Sequence, residues 1–141
     1  MSIELFSIAW SEDYELGNDF VDSQHKRLFE LVNNIGKTRH EGGDASALSE
    51  TLDFLLQYTV QHFSDEESLQ IEYNFPEYEH HKKLHKDFEA AVIEKVTEFK
   101  EKGSTNDLLD NVNYFIIEWL VNHILKEDMK IGAYINEKAS I

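Results

Sequence analysis

Cysteine is absent from the 141-residue sequence. Disulfides, zinc fingers, cysteine-ligated iron–sulfur clusters and thiol catalysis are excluded together. One proline and six glycines leave few helix breakers, which favours long helices. Positive charge is also scarce: 13 Lys and Arg stand against 28 Asp and Glu, a formal net charge of −15. A surface that acidic repels phosphate backbones and anionic headgroups, so nucleic acid and membranes are poor partners. No run approaches the roughly 18 apolar residues of a membrane span. The segment MSIELFSIAW has no basic stretch and carries Glu4 within a broken apolar run. It does not read as a signal peptide, and the cytoplasm is the expected location.

What is present points to a folded all-α domain. A hydrophobic share of 41% with 12% aromatics argues against disorder despite the charge. The length suits one domain, read here as 1–141, with no internal repeat. Residues 1–18, with Trp10 and Tyr14, read as an N-terminal arm without a sustained period. A first helix is expected from Asp19 to Arg39, with His25, Leu28, Phe29, Val32 and Ile35 on one face. Gly42 and Gly43 end it, and Asp44 caps the next helix. The second helix, Ala45 to Glu72, carries Leu48, Leu52, Leu55, Thr59, His62, Glu66 and Leu69 as a stripe. Tyr73-Asn74-Phe75 makes a turn, and Pro76 fits the first position of a third helix ending near Glu101. Its face reads His81, His85, Phe88, Val92, Val96 and Phe99. Gly103 closes it, and Ser104 or Thr105 can cap the fourth, which presents Val112, Phe115, Ile116, Trp119, Leu120 and His123 before losing its period near Glu127. From Lys130 the sequence is mixed. Four helices of about 30–40 Å joined by short turns predict an antiparallel up-down-up-down four-helix bundle over 19–136, with a tail at 137–141.

Histidine is abundant, at seven residues, and five of them (His25, His62, His81, His85 and His123) lie on the apolar stripes. Each helix supplies at least one, so the rings converge inside the bundle. Burying unpartnered polar groups costs roughly 1–3 kcal/mol each, and a metal ion would satisfy several at once. A histidine-rich set with carboxylates suits iron, zinc, copper or nickel. His62/Glu66 and His81/His85 are i, i+4 pairs, each able to grip one centre from one face. Asp65 could reach the same face as Glu66 with a shorter side chain, so Glu66 ranks first. The other Glu-rich segments read as solvated faces. On the fourth helix, Glu127 stands at i+4 from His123, whereas Asp128 at i+5 lies about 140° round the axis. Asp128 can serve only if the helix ends, tightens or bends after His123. The HExxH motif is absent, and Glu77-Tyr78-Glu79-His80 is a single copy of the ExxH that di-iron carboxylate bundles use twice. His80 and His40 read as surface residues.

These residues resemble the hemerythrins, and specifically the single-domain bacteriohemerythrins, over nearly the whole chain. The matching motifs are W-x3-Y-x-L-G at Trp10, Tyr14, Leu16 and Gly17, then D-x-Q-H at Asp22, Gln24 and His25. They continue with H-F-x2-E-E at His62, Phe63, Glu66 and Glu67, H-x3-H at His81 and His85, and H-x4-D from His123 to Asp128. The resemblance implies that Asp128, not Glu127, is the second bridging acid. It further implies that His81, His85 and His123 hold one iron and His25 and His62 the other. Glu66 and Asp128 would bridge the two ions of a non-heme, oxo- or hydroxo-bridged di-iron centre. The two-histidine iron would keep an open position for dioxygen, and excluding bulk water from the site is work suited to Phe63, Trp119, Leu120 and Ile124. Reversible dioxygen carriage, storage or delivery follows as the expected function, without catalysis, and a reductase or oxygen-consuming protein as the expected partner. A sensor, an oxidase, a peroxide or nitric oxide scavenger and an iron-handling protein are the alternatives. One departure is Gln70, where bacterial members often carry Met; pointing inward, it would make the pocket more polar.

Overall fold

The computed structural model describes residues 8–42, 44–102 and 106–139. Five helices follow a short 3-10 turn at Glu12–Tyr14: α1 (Asp19–His40), α2 (Ala45–Glu72), α3 (Tyr78–Glu101), α4 (Asn106–His123) and α5 (Met129–Ala139). A five-residue π-helical turn, Ile124–Asp128, joins α4 to α5 without a break, so the pair forms the fourth rod of the bundle. Consecutive rods pack side by side and α4 returns to α1, the arrangement of an up-down-up-down four-helix bundle. No strand occurs among the described residues, and none of their helices is long and apolar enough to cross a membrane.

Local chemistry fixes the ends. The Asn18 side chain accepts from the Val21 amide and that of Asp44 from the Ala47 amide, so each supplies an N-cap acceptor. Helix α1 begins with Asp19 and Asp22 and ends with Lys37, Arg39 and His40, charges that suit its dipole. At the end of α2, Asn74 takes φ 55°, the Phe75 amide donates to the Gln70 carbonyl at 2.8 Å, and Asn74 to that of Ile71 at 3.1 Å. This is a Schellman closure, with Phe75 as its apolar flank. It corrects the expected start of α3. Pro76 belongs to the turn that stops α2, and α3 begins two residues later at Tyr78. Gly43, Gly103 and the proposed caps Ser104 and Thr105 lie outside the described residues, as do 1–7 and 140–141.

The expected tail is corrected too. The helix runs on to Ala139, with Ile131 and Ile135 buried against Phe75. The apolar period fades near Glu127 because the π turn spends one extra residue and resets the phase.

The arm is strapped on by specific bonds. Its Trp10 and Tyr14 rings both meet Phe29 edge-on, 5.3 and 5.0 Å between centroids. The Asn33 amide exchanges two hydrogen bonds with the backbone of Ile8. Asp22 accepts from the amides of Leu16 and Gly17. The strap lies close to α5: a Cβ at Gly132 would stand 2.5 Å from the Leu16 carbonyl oxygen.

Candidate metal centre

The centre begins with a deformation of the backbone. After His123 the hydrogen bonds lengthen to i→i−5, and the Met129 amide donates to the Ile124 carbonyl. The wider turn carries residue i+5 back toward the axis face that i+4 would occupy in a regular helix. Asp128 is buried there, while Glu127 is turned outward, 3.7 Å from His80 and 3.6 Å from Lys130. Tightening, ending or bending were the expected ways to recruit Asp128. The helix widens instead.

All seven predicted residues are brought together, and all are buried. Their donor atoms form two overlapping groups, each within 4.8 Å: Glu66, His81, His85, His123 and Asp128 in one; His25, His62, Glu66 and Asp128 in the other. The shared carboxylates divide their oxygens. Glu66 turns Oε1 to His81 and His85 (2.7 and 3.3 Å) and Oε2 to His25 and His62 (3.5 and 3.3 Å). Asp128 turns Oδ1 to His81 and His123 (both 3.0 Å) and Oδ2 to His25 (3.1 Å). Within the first group, the His123 Nε2 stands 3.1 Å from that of His81 and 3.2 Å from that of His85.

Those separations test the fit to a metal. With bonds of about 2.1 Å, neighbouring donors stand ~3.0 Å apart on an octahedron and ~3.4 Å apart on a tetrahedron. The edges of 2.7–3.3 Å in the first group match the six-coordinate case better than a tetrahedral zinc site.

A second layer sets which nitrogen faces inward. His62 Nδ1 donates to Gln24 Oε1 at 2.7 Å, and the Gln24 amide is oriented by donating to Asp65 Oδ2 at 2.8 Å. Gln61 donates to the other Asp65 oxygen at 2.9 Å. His85 Nδ1 donates to Glu67 Oε2 at 2.8 Å. With Nδ1 so committed, Nε2 is the inward-facing nitrogen of both rings, the atom whose lone pair a metal would take. Sequence reasoning missed these supports. It gave Glu67 and Gln24 only as parts of motifs and Asp65 as a candidate ranked behind Glu66, although the acid next to Glu66 and the glutamine before His25 were visible signals.

The Hemerythrin HHE cation binding domain model matches residues 16–135. The chain belongs to the hemerythrin family. It is 29% identical to a bacteriohemerythrin of Stenotrophomonas maltophilia over 137 residues, covering 94% of this chain and 86% of that one. A hemerythrin-like protein of Naegleria gruberi is 37% identical over 121 residues, 86% of this chain and 87% of its own. A crystal structure of a wild-type hemerythrin superposes with a TM-score of 0.80 at 28% identity, covering 89% of this chain and 95% of that one. Fold and family agree on a cation-binding hemerythrin bundle whose histidine–carboxylate cluster can hold metal.

In the metal-free hemerythrin chain, protons take over part of the balancing of two buried carboxylates. Burial alone would lower His25 and His81, but bonds to Asp128 and Glu66 outweigh it and push them up to about 9 and about 10. His85 is raised in the same way by Glu66 and Glu67. At His62 burial prevails and lowers it. Burial works to raise Glu66 and Asp128, yet the surrounding histidines hold both below the usual carboxylate range. Metal must displace these protons. Adding two equivalents of a divalent metal to the stripped protein at pH 7 is therefore expected to release at least two protons, with affinity rising toward pH 9–10. Calorimetry in buffers of different ionisation enthalpy checks the count.

Gln70 points inward and is completely buried, and neither of its amide atoms finds a hydrogen-bond partner among the described residues. Its backbone carbonyl accepts from the Phe75 amide at the C-terminal end of α2. An unsatisfied buried amide costs about 1–3 kcal/mol. Gln70→Met is thus expected to raise the thermal midpoint of the metal-free protein by roughly 3 °C for each kcal/mol relieved. An unchanged or lower midpoint in a melting curve would mean that an ordered water satisfies the amide.

Proposed function

We propose that this protein binds dioxygen reversibly at a pair of iron ions held by His25, His62, Glu66, His81, His85, His123 and Asp128. The observation that carries the reading is the division of labour in the two carboxylates: each faces one histidine group with one oxygen and the other group with its second. One group offers three histidines and two carboxylate oxygens. The other offers two histidines and two oxygens, one donor fewer, which leaves room there for a small exogenous ligand. The iron pair, when bound, supplies two electrons that a dioxygen molecule can borrow and return.

The chain's own residues make that loan reversible by keeping bulk water out. The Phe63 ring lies flat on His85 at 3.7 Å, and Trp119 stacks on His123 at 4.2 Å. Phe88 covers the back of Trp119 at 3.9 Å, and Leu120 and Ile124 are buried beside them. Carriage, storage or delivery of dioxygen, without turnover, is the function such a sheltered site supports best.

A metal count paired with a visible spectrum tests the reading. The reduced protein is read without air, with air and after purging. Two irons per chain and a charge-transfer band that comes with air and goes with purging are expected. Two irons that oxidise with no reversible band would favour an oxidase or scavenger. One zinc per chain would remove the iron assignment.

A further inference from the structure

The supports behind the two histidine groups differ in charge. His85 Nδ1 donates to a carboxylate, Glu67, whose side chain is 13% exposed, at 2.8 Å. His62 Nδ1 donates to a neutral amide, Gln24, at 2.7 Å. A carboxylate does lie on that side, but it is Asp65, one side chain farther out, spending one oxygen on Gln24 and the other on Gln61. The remaining histidine of that group, His25, is fully buried, and its Nδ1 finds no hydrogen-bond partner among the described residues. An ionised acceptor draws the Nδ1 proton and enriches the ring in electron density, making Nε2 the stronger donor. A neutral acceptor orients the ring with much less of that effect.

We propose that Gln24 and Glu67 are positioning residues that make the two metal positions unequal beyond their ligand count. The Glu67 carboxylate tightens the three-histidine position, and the Gln24 amide, by holding the Asp65 charge away from His62, leaves the two-histidine position the more labile. The proposal rests on the reading that two metal ions share this site. It has a use there: the position with the spare coordination site keeps weaker donors, so a small ligand competes less with its histidines.

The structure also supplies a clean test. In the double variant Gln24→Glu/Asp65→Asn, the net charge and the hydrogen bonds are both preserved, because the amide and the carboxylate simply exchange places. The amide introduced at position 65 can donate to the carboxylate introduced at position 24, just as Gln24 now donates to Asp65. Only the position of the negative charge changes, from one side chain away to direct contact with His62. Protein loaded with two equivalents of Co2+ is challenged with excess chelator, and metal release is followed by absorbance. The original chain is expected to lose its ions in two phases. The double variant should slow the fast phase about tenfold or more and leave the slow phase unchanged. Glu67→Gln should speed the slow phase by a similar factor and leave the fast one unchanged, so either variant alone suffices if the other fails to fold. Two bound ions whose release ignores both substitutions, or shifts in both phases together, would overturn the proposal alone. Failure of the original chain to bind two Co2+ ions would overturn the shared-site reading and this proposal with it.

Discussion

Stripping the metal is expected to lower the thermal midpoint of this protein by roughly 10 °C or more. A ligand present at a thousand times its dissociation constant stabilises the native state by about 4 kcal/mol, and two ions do so together. Each kcal/mol shifts the midpoint of a chain of this size by roughly 3 °C. The physical source is the set of seven buried donors that lose their cation.

The gap between loaded and stripped protein should also depend on pH, with a definite sign. In the stripped chain His25 and His81 bind protons more tightly folded than unfolded, up to about 9 and about 10 against an ordinary 6.5. Their stabilisation is complete below 6.5 and is lost as pH rises through 9–10. Glu66 and Asp128 run the other way, stabilising above the ordinary carboxylate range and losing that as pH falls below it through their lowered folded values. The loaded protein holds its histidines neutral already, so alkaline pH costs it little. Melting curves of both forms at about pH 7 and pH 9.5 should show the gap widening. A gap that narrows at the alkaline pH would mean that the buried protons are not where the structure puts them.

Most of the ligand cluster was legible because helical periodicity is strict. His62/Glu66 and His81/His85 fall one turn apart, and a histidine on every apolar stripe can only converge when the stripes face one another. The places where periodicity misleads are those where the backbone leaves the regular helix. Asp128 is invisible to it, since nothing in Ile124–Asp128 advertises a π turn, and only the family resemblance pointed there. The same inserted residue hid the continuation through Ile131 and Ile135. At Pro76 two rules competed, proline opening a helix and proline following a Schellman closure; the left-handed Asn74 and the burial of Phe75 decided for the second. The outer supports were missed for another reason. Gln24 and Glu67 act across helices, and a hydrogen bond between residues 38 or 18 positions apart leaves no local pattern.

The π turn yields the sharpest prediction. Asp128→Ala should abolish two-metal binding, with affinity falling more than about 100-fold, beyond the 10–100-fold that loss of an outer hydrogen bond costs. The reason is that Asp128 serves both groups, Oδ1 beside His81 and His123 and Oδ2 beside His25, so its loss strips a donor from each. Glu127→Ala removes an acid of the same charge one residue away and should leave two ions bound, because Glu127 faces His80 and Lys130. A deletion probes the geometry more directly. Removing Lys126 shortens the interval from His-x4-Asp to His-x3-Asp, the i, i+4 spacing that a regular helix places on one face. The π turn should then relax to an ordinary α-turn with the aspartate still aimed inward and the register of Ile131 and Ile135 kept. Metal content measured on the three variants should read below one, two and two ions per chain. If the deletion lost metal as completely as Asp128→Ala, the widened turn itself, and not merely the direction in which it aims the carboxylate, would be what the centre requires.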